Sequence, residues 1–363
     1  MRLASIALVS LVFAGSVASA EVTRTLRAEL TDPSRPFRVE NLVGRMIVRQ
    51  GSGAKVVVTA TVHGADQKTA DLLRLQEVRD AKTGLPTLRM IYPLGDHTTY
   101  RYGRENGGSG GGFFDRMFSG MSSNNVTYDG VRVSVSGSRG LEVYADLVVE
   151  IPRGVTGTFR NVVGAIEGSG VEGTLKFDSG SGGIALSDFK GEIVADTGSG
   201  DVNATSGRGS FKCDTGSGDC MLNSFTGERI DLDTGSGDIN VAGSSARFVS
   251  ADTGSGSIHL EVDDTEEVDT DTGSGDVSLE LGGAKLARVS ADTGSGDVSL
   301  RLPRNLGFEM KTDVGSGEVT SDFDDATAIT QRRKVKGYRR GDLQVKIDVD
   351  AGSGDVSVGP GRF

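Results

Sequence analysis

The chain repeats one six-residue segment, Asp-Thr-Gly-Ser-Gly-Asp, along its second half. The segment is complete at 196–201, 214–219, 233–238, 271–276 and 292–297, and variants of it occupy 178–183, 252–257, 313–318 and 350–355. Counted from the first Asp of each copy, the steps are 18, 18, 19, 19, 19, 21, 21 and 37 residues. A turn-forming segment that recurs at a near-constant period of this length indicates stacked copies of one small β unit.

Apolar and polar residues alternate between the hexamers. Val277, Leu279 and Leu281 share one phase, with Ser278 and Glu280 between them, which is the period of a strand with one buried face. Each repeat is therefore predicted to contain a strand, a Gly-rich turn, a second strand and a second turn with a less regular sequence. Because one repeat can bury its apolar stripe only against its neighbours, we predict an all-β fold, a right-handed β-solenoid of about 19-residue Gly/Asp-turn repeats.

Composition divides the rest of the chain into regions. Residues 1–20 have the charged start, apolar run and Ala-Ser-Ala end of a secretory signal peptide. Residues 21–155 predict a β-rich region with one short helix, which we place among the leucines of 65–80, and a flexible Gly-rich insert at 103–125. Residues 156–363 form the predicted solenoid, with a basic insert at 322–342.

Charge and composition exclude several function classes. The net charge of −11 is the wrong sign for a general nucleic-acid binder, and no segment after the signal is long and apolar enough to span a membrane. The 54 glycines and the absence of Trp argue against a compact enzyme, and His63, His97 and His259 are scattered without a nucleophile beside them. We therefore expect an exported, non-enzymatic protein of the periplasm or cell surface, without catalytic residues.

The hexamer itself has two chemical interpretations. Stacking predicts two columns of carboxylates, here called the first-Asp column and the second-Asp column after their place in the hexamer. The first-Asp column contains Asp196, Asp214, Asp233, Asp252, Asp271, Asp292 and Asp313, and the second-Asp column contains Asp201, Asp219, Asp238, Asp276 and Asp297. In the architectural interpretation each Asp accepts a hydrogen bond from the backbone N–H two residues on, while the glycines supply positive φ. In the alternative, both columns bind calcium through their oxygens, and calcium is then the one cofactor.

Two other functions suggested by the hexamer sequence, proteolysis and phosphate binding, do not fit its surroundings in the chain. Asp-Thr-Gly-Ser also marks the catalytic aspartates of aspartic proteases, but five intact copies at a short period do not make a two-aspartate cleft. Gly-Ser-Gly before a strand is not a phosphate cradle, because those loops lead into a helix N-terminus.

Two further clusters are candidate sites. Cys213 and Cys220 flank one hexamer at positions where other repeats have apolar residues, so they form either a disulfide across that repeat or two buried thiols. Six basic residues lie within nine positions of the basic insert: Arg332, Arg333, Lys334, Lys336, Arg339 and Arg340. They predict either a solvated loop or an internal partner for the aspartate columns, or else a contact for anionic lipid, lipopolysaccharide or wall polymer. The aromatic residues of 113–121 are a third candidate surface.

The repeated motifs resemble a known family. The hexamers followed by Val or Ile, the final Lys336-Gly337-Tyr338, Leu343-Gln344-Val345 and 352–356 segments, and the early run 39–48 look like the bacterial "putative adhesin" or toastrack-type β-repeat family, a domain of unknown function. The resemblance extends from about residue 35 to residue 363 and is most specific after 160. It implies an envelope location and an adhesin-like role toward protein or polysaccharide partners, or a part in envelope-stress sensing. It supplies no catalytic residues, and oligomeric state remains open.

Overall fold

The computed structural model describes residues 22–30, 32–102 and 124–363, and most of these residues are in strands. The all-β prediction is confirmed. The predicted signal peptide, nearly all of the Gly-rich insert and the aromatic segment 113–121 lie outside the described residues. No helix among the described residues combines the length and apolarity that crossing a membrane requires.

Two compact units make up the chain. The first contains Met1–Gly191 and Asp196–Ser199, and the second contains Glu192–Ala195 and Gly200–Phe363. β15 (Lys190–Thr197) contributes residues to both. The boundary at 155/156 predicted from the repeat pattern stays a prediction.

The first unit contains fourteen complete strands and one helix. They are β1 (Val22–Leu30), β2 (Phe37–Val43), β3 (Met46–Gln50), β4 (Val56–Gly64), α1 (Gln67–Ala70), β5 (Arg74–Arg79), β6 (Pro86–Ile91), β7 (Thr99–Arg101), β8 (Asn124–Tyr128), β9 (Val131–Ser136), β10 (Val143–Ile151), β11 (Val155–Val163), β12 (Ile166–Ser169), β13 (Glu172–Ser179) and β14 (Ile184–Ser187).

Parallel and antiparallel pairing meet in the first unit. One run of paired strands has the order β1-β4-β10-β3-β12-β14, antiparallel at its β1 end and parallel from β10 onward. The second run is β5-β6-β2-β11-β13, parallel from β6 onward. A small sheet, β7-β9-β8, completes the unit. Inside the first unit, the Phe159 ring packs between those of Phe37 and Phe177, with centroid distances of 6.0 and 5.4 Å.

The helix predicted within 65–80 is wrong for most of that range. α1 covers only Gln67–Ala70, where the Asp66 side chain accepts a hydrogen bond from the Thr69 backbone N–H. The following β5 is antiparallel to β6 and buries Leu75 against the core. The apolar residues of 72–78 fit a strand as well as a helix, and pairing with β6 decides for the strand.

The second unit contains sixteen strands. They are β16 (Val202–Thr205), β17 (Arg208–Thr215), β18 (Cys220–Asn223), β19 (Thr226–Thr234), β20 (Ile239–Thr253), β21 (Ile258–Asp263), β22 (Glu267–Thr272), β23 (Val277–Leu281), β24 (Arg288–Thr293), β25 (Val298–Leu302), β26 (Phe308–Val314), β27 (Val319–Ser321), β28 (Thr327–Gln331), β29 (Lys334–Arg340), β30 (Val345–Ala351) and β31 (Val356–Pro360).

Two parallel ladders run through the second unit, one on each side of the hexamer turns. The first ladder is β17-β19-β20-β22-β24-β30-β26. The second is β16-β18-β20-β21-β23-β25-β31-β27. Each pair of strands joined by a hexamer therefore forms one rung. The registers align equivalent residues, so the β16 position is followed along the ladder by a buried column: Val202, Cys220, Ile239, Ile258, Val277, Val298, Val356 and Val319.

The last rungs do not follow chain order. β30 lies between β24 and β26, and β31 lies between β25 and β27. The final repeat is thus inserted between the two repeats that precede it in sequence, which explains the 37-residue last step. At this end the rungs therefore stack in an order that differs from the order of the repeats in the chain.

A hairpin covers the end of the first ladder. β29 pairs antiparallel with β26, and β28 pairs antiparallel with β29. The basic insert therefore satisfies the backbone of β26, which would otherwise be an open sheet edge.

Candidate functional site: the hexamer turns and the basic hairpin

The threonine of each hexamer points inward and ties adjacent rungs together. Thr234 is buried, donates its hydroxyl to the Gly218 carbonyl at 2.8 Å, and accepts the Gly237 N–H at 3.1 Å. Thr215, Thr253, Thr272 and Thr293 form the same pair of bonds with their own neighbours. Buried donors and acceptors that are satisfied in this way fix the turn conformation and the spacing of the rungs.

The second-Asp column forms hydrogen bonds along the stack. Asp219 Oδ1 accepts the N–H of Asp238 at 2.8 Å, and Asp238 Oδ1 accepts the N–H of Ser257 at 2.8 Å. The series starts with Asp201 and ends with Asp276, Asp297 and Asp355, the last of which accepts the N–H of Glu318. The expected bond to the N–H two residues on is therefore wrong for this column, because the acceptor reaches the next rung instead.

The glycines are required by close approach. A Cβ on Gly237 would lie 2.0 Å from the Gly218 carbonyl oxygen, and one on Gly256 would lie 1.9 Å from that of Gly237. None of the glycines between the two aspartates of the intact hexamers has a φ in the left-handed region. The prediction that they supply positive φ is wrong, since the stacked turns leave no room for a side chain.

The first-Asp column faces solvent in the second unit. Its order along the ladder is Asp214, Asp233, Asp252, Asp271, Asp292, Asp350 and Asp313. Partial burial, followed by repulsion from neighbouring aspartates, raises the pKa of Asp252 and of Asp292. In the first unit, Asp196 pairs with Lys176 at 2.6 Å. Both columns are exposed from the 233–238 hexamer onward, so they differ in that the second-Asp carboxylates bond the next turn, not in exposure.

The two columns differ in how many carboxylate oxygens are free for the alternative role, calcium binding. In the second-Asp column, one oxygen of each bonding carboxylate already accepts a backbone N–H. Within residues 22–30, 32–102 and 124–363, no group of three or more His, Cys, Asp or Glu side chains could hold a metal ion. Calcium binding at either column stays a prediction.

Cys213 and Cys220 are joined by a disulfide. Their Cα atoms are 6.5 Å apart, and both side chains are buried on the two strands that flank one hexamer. Of the two alternatives drawn from the sequence, the structure has the bonded one.

The structure divides the six basic residues into two groups. Lys336 pairs with Asp313 at 3.0 Å, Arg339 Nε bonds Glu309 at 2.9 Å, and Arg340 Nε bonds Asp325 at 2.6 Å. Arg340 also lies 4.5 Å from the centroid of the Phe323 ring. Arg332, Arg333 and Lys334 are exposed at the turn between β28 and β29. We call this three-residue group the basic tip.

Two features of the first unit were missed. Residues 40–45 and 160–165 occupy the hexamer position, because Arg160 aligns with both Glu40 and Asp178. The shared Asn-x-Val-Gly of 41–44 and 161–164 is the sequence signal that could have revealed them. In place of Thr, Asn161 Nδ2 donates to the Gly44 carbonyl at 2.6 Å.

The second missed feature is a buried ion network. Arg89 Nε bonds Glu40 at 2.6 Å, its Nη2 bonds Asp80 at 3.1 Å, and its Nη1 bonds Asp129. The Thr83 hydroxyl and backbone N–H lower the pKa of Asp80 to about 2. The four charges come from distant parts of the sequence, so no local pattern marks them.

Three solved structures are similar to the chain at low identity. A putative cell adhesion protein from Clostridium sporogenes is 10% identical, with coverage of 93% of this chain and 99% of that chain and a TM-score of 0.21. A putative lipid binding protein from Parabacteroides distasonis is 12% identical, with coverage of 92% and 96% and a TM-score of 0.38. A putative adhesin from Bacteroides fragilis is 10% identical, with the same coverage and a TM-score of 0.35. All three TM-scores are below 0.5.

No curated protein matches the chain. A family model, Toastrack DUF4097, matches residues 208–359, which run from the start of β17 almost to the end of β31. The match covers the in-register ladders, the inserted last rung and the covering hairpin described above. In the repeat region of the second unit, residues 208–359, the chain is therefore similar to the Toastrack DUF4097 family.

Proposed function

We propose that this protein is an exported, non-catalytic interaction module of the cell envelope with an adhesin-like role. In this proposal the repeat region is a right-handed β-solenoid with a period of about 19 residues. The observation that carries the proposal is that the residues of the hexamer have different roles. Threonine and the second aspartate bond the neighbouring rung, whereas the first aspartates from Asp233 to Asp292 form an aligned, exposed column that takes no part in those bonds.

An aligned column suits an extended partner. Neighbouring strands lie about 4.8 Å apart, so the exposed carboxylates recur at that spacing along the ladder. A protein or polysaccharide with repeated cationic or hydrogen-bond-donating groups could contact several of them at once, and multiple weak contacts raise the overall affinity. The proposed partners are therefore envelope or cell-surface components of that chemistry.

The test is retention on isolated cell-envelope fractions. Residues 21–363 are mixed with the fraction and sedimented, and the bound amount is measured. It is compared with that of the variant Asp233→Asn/Asp252→Asn/Asp271→Asn, which removes three negative charges from the middle of the first-Asp column. We expect retention to fall several-fold in this variant, because each replaced carboxylate removes one contact. The matched control, Asp188→Asn/Asp324→Asn/Asp342→Asn, removes the same charge from turns and loops outside the column and should be retained like the unmodified chain.

Calcium enters the same experiment as a second condition. Retention that needs millimolar calcium and disappears with chelator would favour the calcium-binding alternative, in which the first-Asp column holds the metal. Equal retention of all three chains, with or without calcium, would contradict the role assigned to the column.

A further inference from the structure

The basic tip is held away from the ladder by the other half of the cluster. β29 pairs with β26 only from Gly337 to Arg340, whereas the hairpin continues to the pair Gln331 and Lys334. Lys336, Arg339 and Arg340 anchor the base of the hairpin to acidic residues. Within the described part of the chain, the three residues of the tip form no ion pair. Three positive charges thus stand uncompensated in a chain of net charge −11.

The tip residues occupy a turn that disfavours them. Gln331 and Lys334 pair across a two-residue loop, in which Arg332 has φ 50° and Arg333 has φ 69°. Positive φ at both central residues defines a type I′ turn, which favours Asn-Gly or Asp-Gly and strains other side chains.

The chain contains its own comparison. In the hairpin of β8 and β9, Tyr128 and Val131 pair across Asp129 (φ 47°) and Gly130 (φ 78°), which is the favoured Asp-Gly combination. The same turn at the basic tip carries two arginines. Strained positions of this kind cluster at functional sites, where the side chain is needed for something other than the fold.

We propose that the basic tip docks the protein onto the anionic phospholipid headgroups of a membrane surface. This inference deepens the proposed envelope role and rests on it. Three cations on a protruding turn need no pocket to be attracted to a planar layer of negative charge, and each Lys or Arg near such a surface contributes independently.

The acidic remainder of the protein restricts how it can approach. Anionic lipids repel most of the surface, but screening confines electrostatic interactions to about 8 Å at physiological ionic strength. Asp313, the member of the first-Asp column that lies on β26 beside the hairpin, is already paired with Lys336, so the tip's three charges meet the surface without that carboxylate opposing them. Docking is therefore tip-first and weakens with added salt.

The experiment measures sedimentation of residues 21–363 with vesicles of phosphatidylglycerol and phosphatidylcholine in equal parts, and with phosphatidylcholine alone. The key variant is Arg332→Asn/Arg333→Gly, which gives the turn its favoured residues and removes two charges. We expect its partition onto anionic vesicles to fall about thirtyfold, because each cation is worth about 1 kcal/mol at such a surface. Its melting temperature should equal or exceed that of the unmodified chain, so a loss of binding is not a loss of folding.

The matched control is Arg139→Ser/Arg153→Ser, which removes two exposed cations of the first unit. It should bind within about twofold of the unmodified chain. Equal losses in both variants, unchanged binding of the tip variant, or no binding of the unmodified chain to anionic vesicles would each overturn the proposal. Competition by 10 mM inorganic phosphate beyond that of chloride at equal ionic strength would also overturn it, because the tip would then recognise a small anion. In all these cases envelope retention that persists in the tip variant leaves the proposed function standing.

Discussion

The glycines of the hexamer turns determine how closely the rungs approach. The carbonyl of one turn occupies the space where the side chain of the next would begin, as at Gly218 and Gly237. A turn glycine chosen for backbone conformation and one chosen for close approach look identical in a sequence. They respond differently to substitution.

We expect Gly237→Ala to lower the unfolding free energy by about 3 kcal/mol, because a methyl group cannot fit between stacked backbones. Gly237→Asn should cost at least as much, since the larger side chain meets the same carbonyl. If positive φ were the reason for glycine, Asn would instead be tolerated better than Ala. Chemical denaturation of the three chains decides between the two accounts.

Gly53→Ala is the control for that series. Its added Cβ would meet nothing within 4 Å, and its φ is outside the left-handed region. Its unfolding free energy should stay within about 0.5 kcal/mol of the unmodified value. A comparable loss at Gly53 and Gly237 would mean that the close approach is unimportant.

At the scale of secondary-structure elements, the inserted final rung is the feature that sequence periodicity could not predict. The hexamers fix which residues align, and that prediction is confirmed from Asp214 through Asp292. They do not fix the order in which repeats stack, because equivalent rungs present nearly the same edges to one another. The covering hairpin determines the order. Because β29 occupies one edge of β26, where Arg339 pairs with Glu309, the last repeat can pair only with the opposite edge of β26.

We expect a chain that ends at residue 342 to lose the pairing of β26 and β27, because β30 and β31 separate them from the preceding rung. Hydrogen exchange should then become fast over residues 308–340 and stay slow near β18 and β19. A peptide of residues 343–363 added in trans should restore protection, since its partners on both sides remain. Slow exchange over 308–340 without the peptide would show that the two rungs can close on each other.

At the scale of the whole chain, individual aspartates respond to acid in opposite directions. In the second unit, burial and neighbouring aspartates raise the pKa of Asp252 and Asp292, so the folded state binds protons more readily than the unfolded state there. In the first unit, the pKa of Asp80 is lowered to about 2, so the folded state binds its proton less readily. The fold class could be predicted from one repeated segment, whereas these charges depend on neighbours that only the register and the packing define.

The sign of the pH dependence follows from linkage. As pH falls through the raised pKa values toward the ordinary Asp value of about 3.9, protonation of Asp252 and Asp292 should contribute a slight rise in unfolding free energy, because water screens the exposed column. Protonation of Asp80 should lower the unfolding free energy as pH drops from about 3.9 through 2. Unfolding measured from about pH 6 to about pH 2 in the unmodified chain and in two variants isolates each contribution. Asp252→Asn/Asp292→Asn should lose the slight rise, and Asp80→Asn should lose less stability below about pH 3.9; pH profiles parallel to that of the unmodified chain would contradict this assignment.

The uniform rungs of the second unit also make its length adjustable. The interior rungs share the same threonine and glycine contacts, and an aspartate bonds the next turn at each except the one with Ser257, so one more copy of residues 233–251 would meet the partners it needs on either side. Such a duplication would extend both ladders by about 4.8 Å and would leave the inserted last rung and its hairpin unchanged. Gene duplication of a single short segment could therefore alter the reach of this surface in fixed increments, without redesign of the end that closes it.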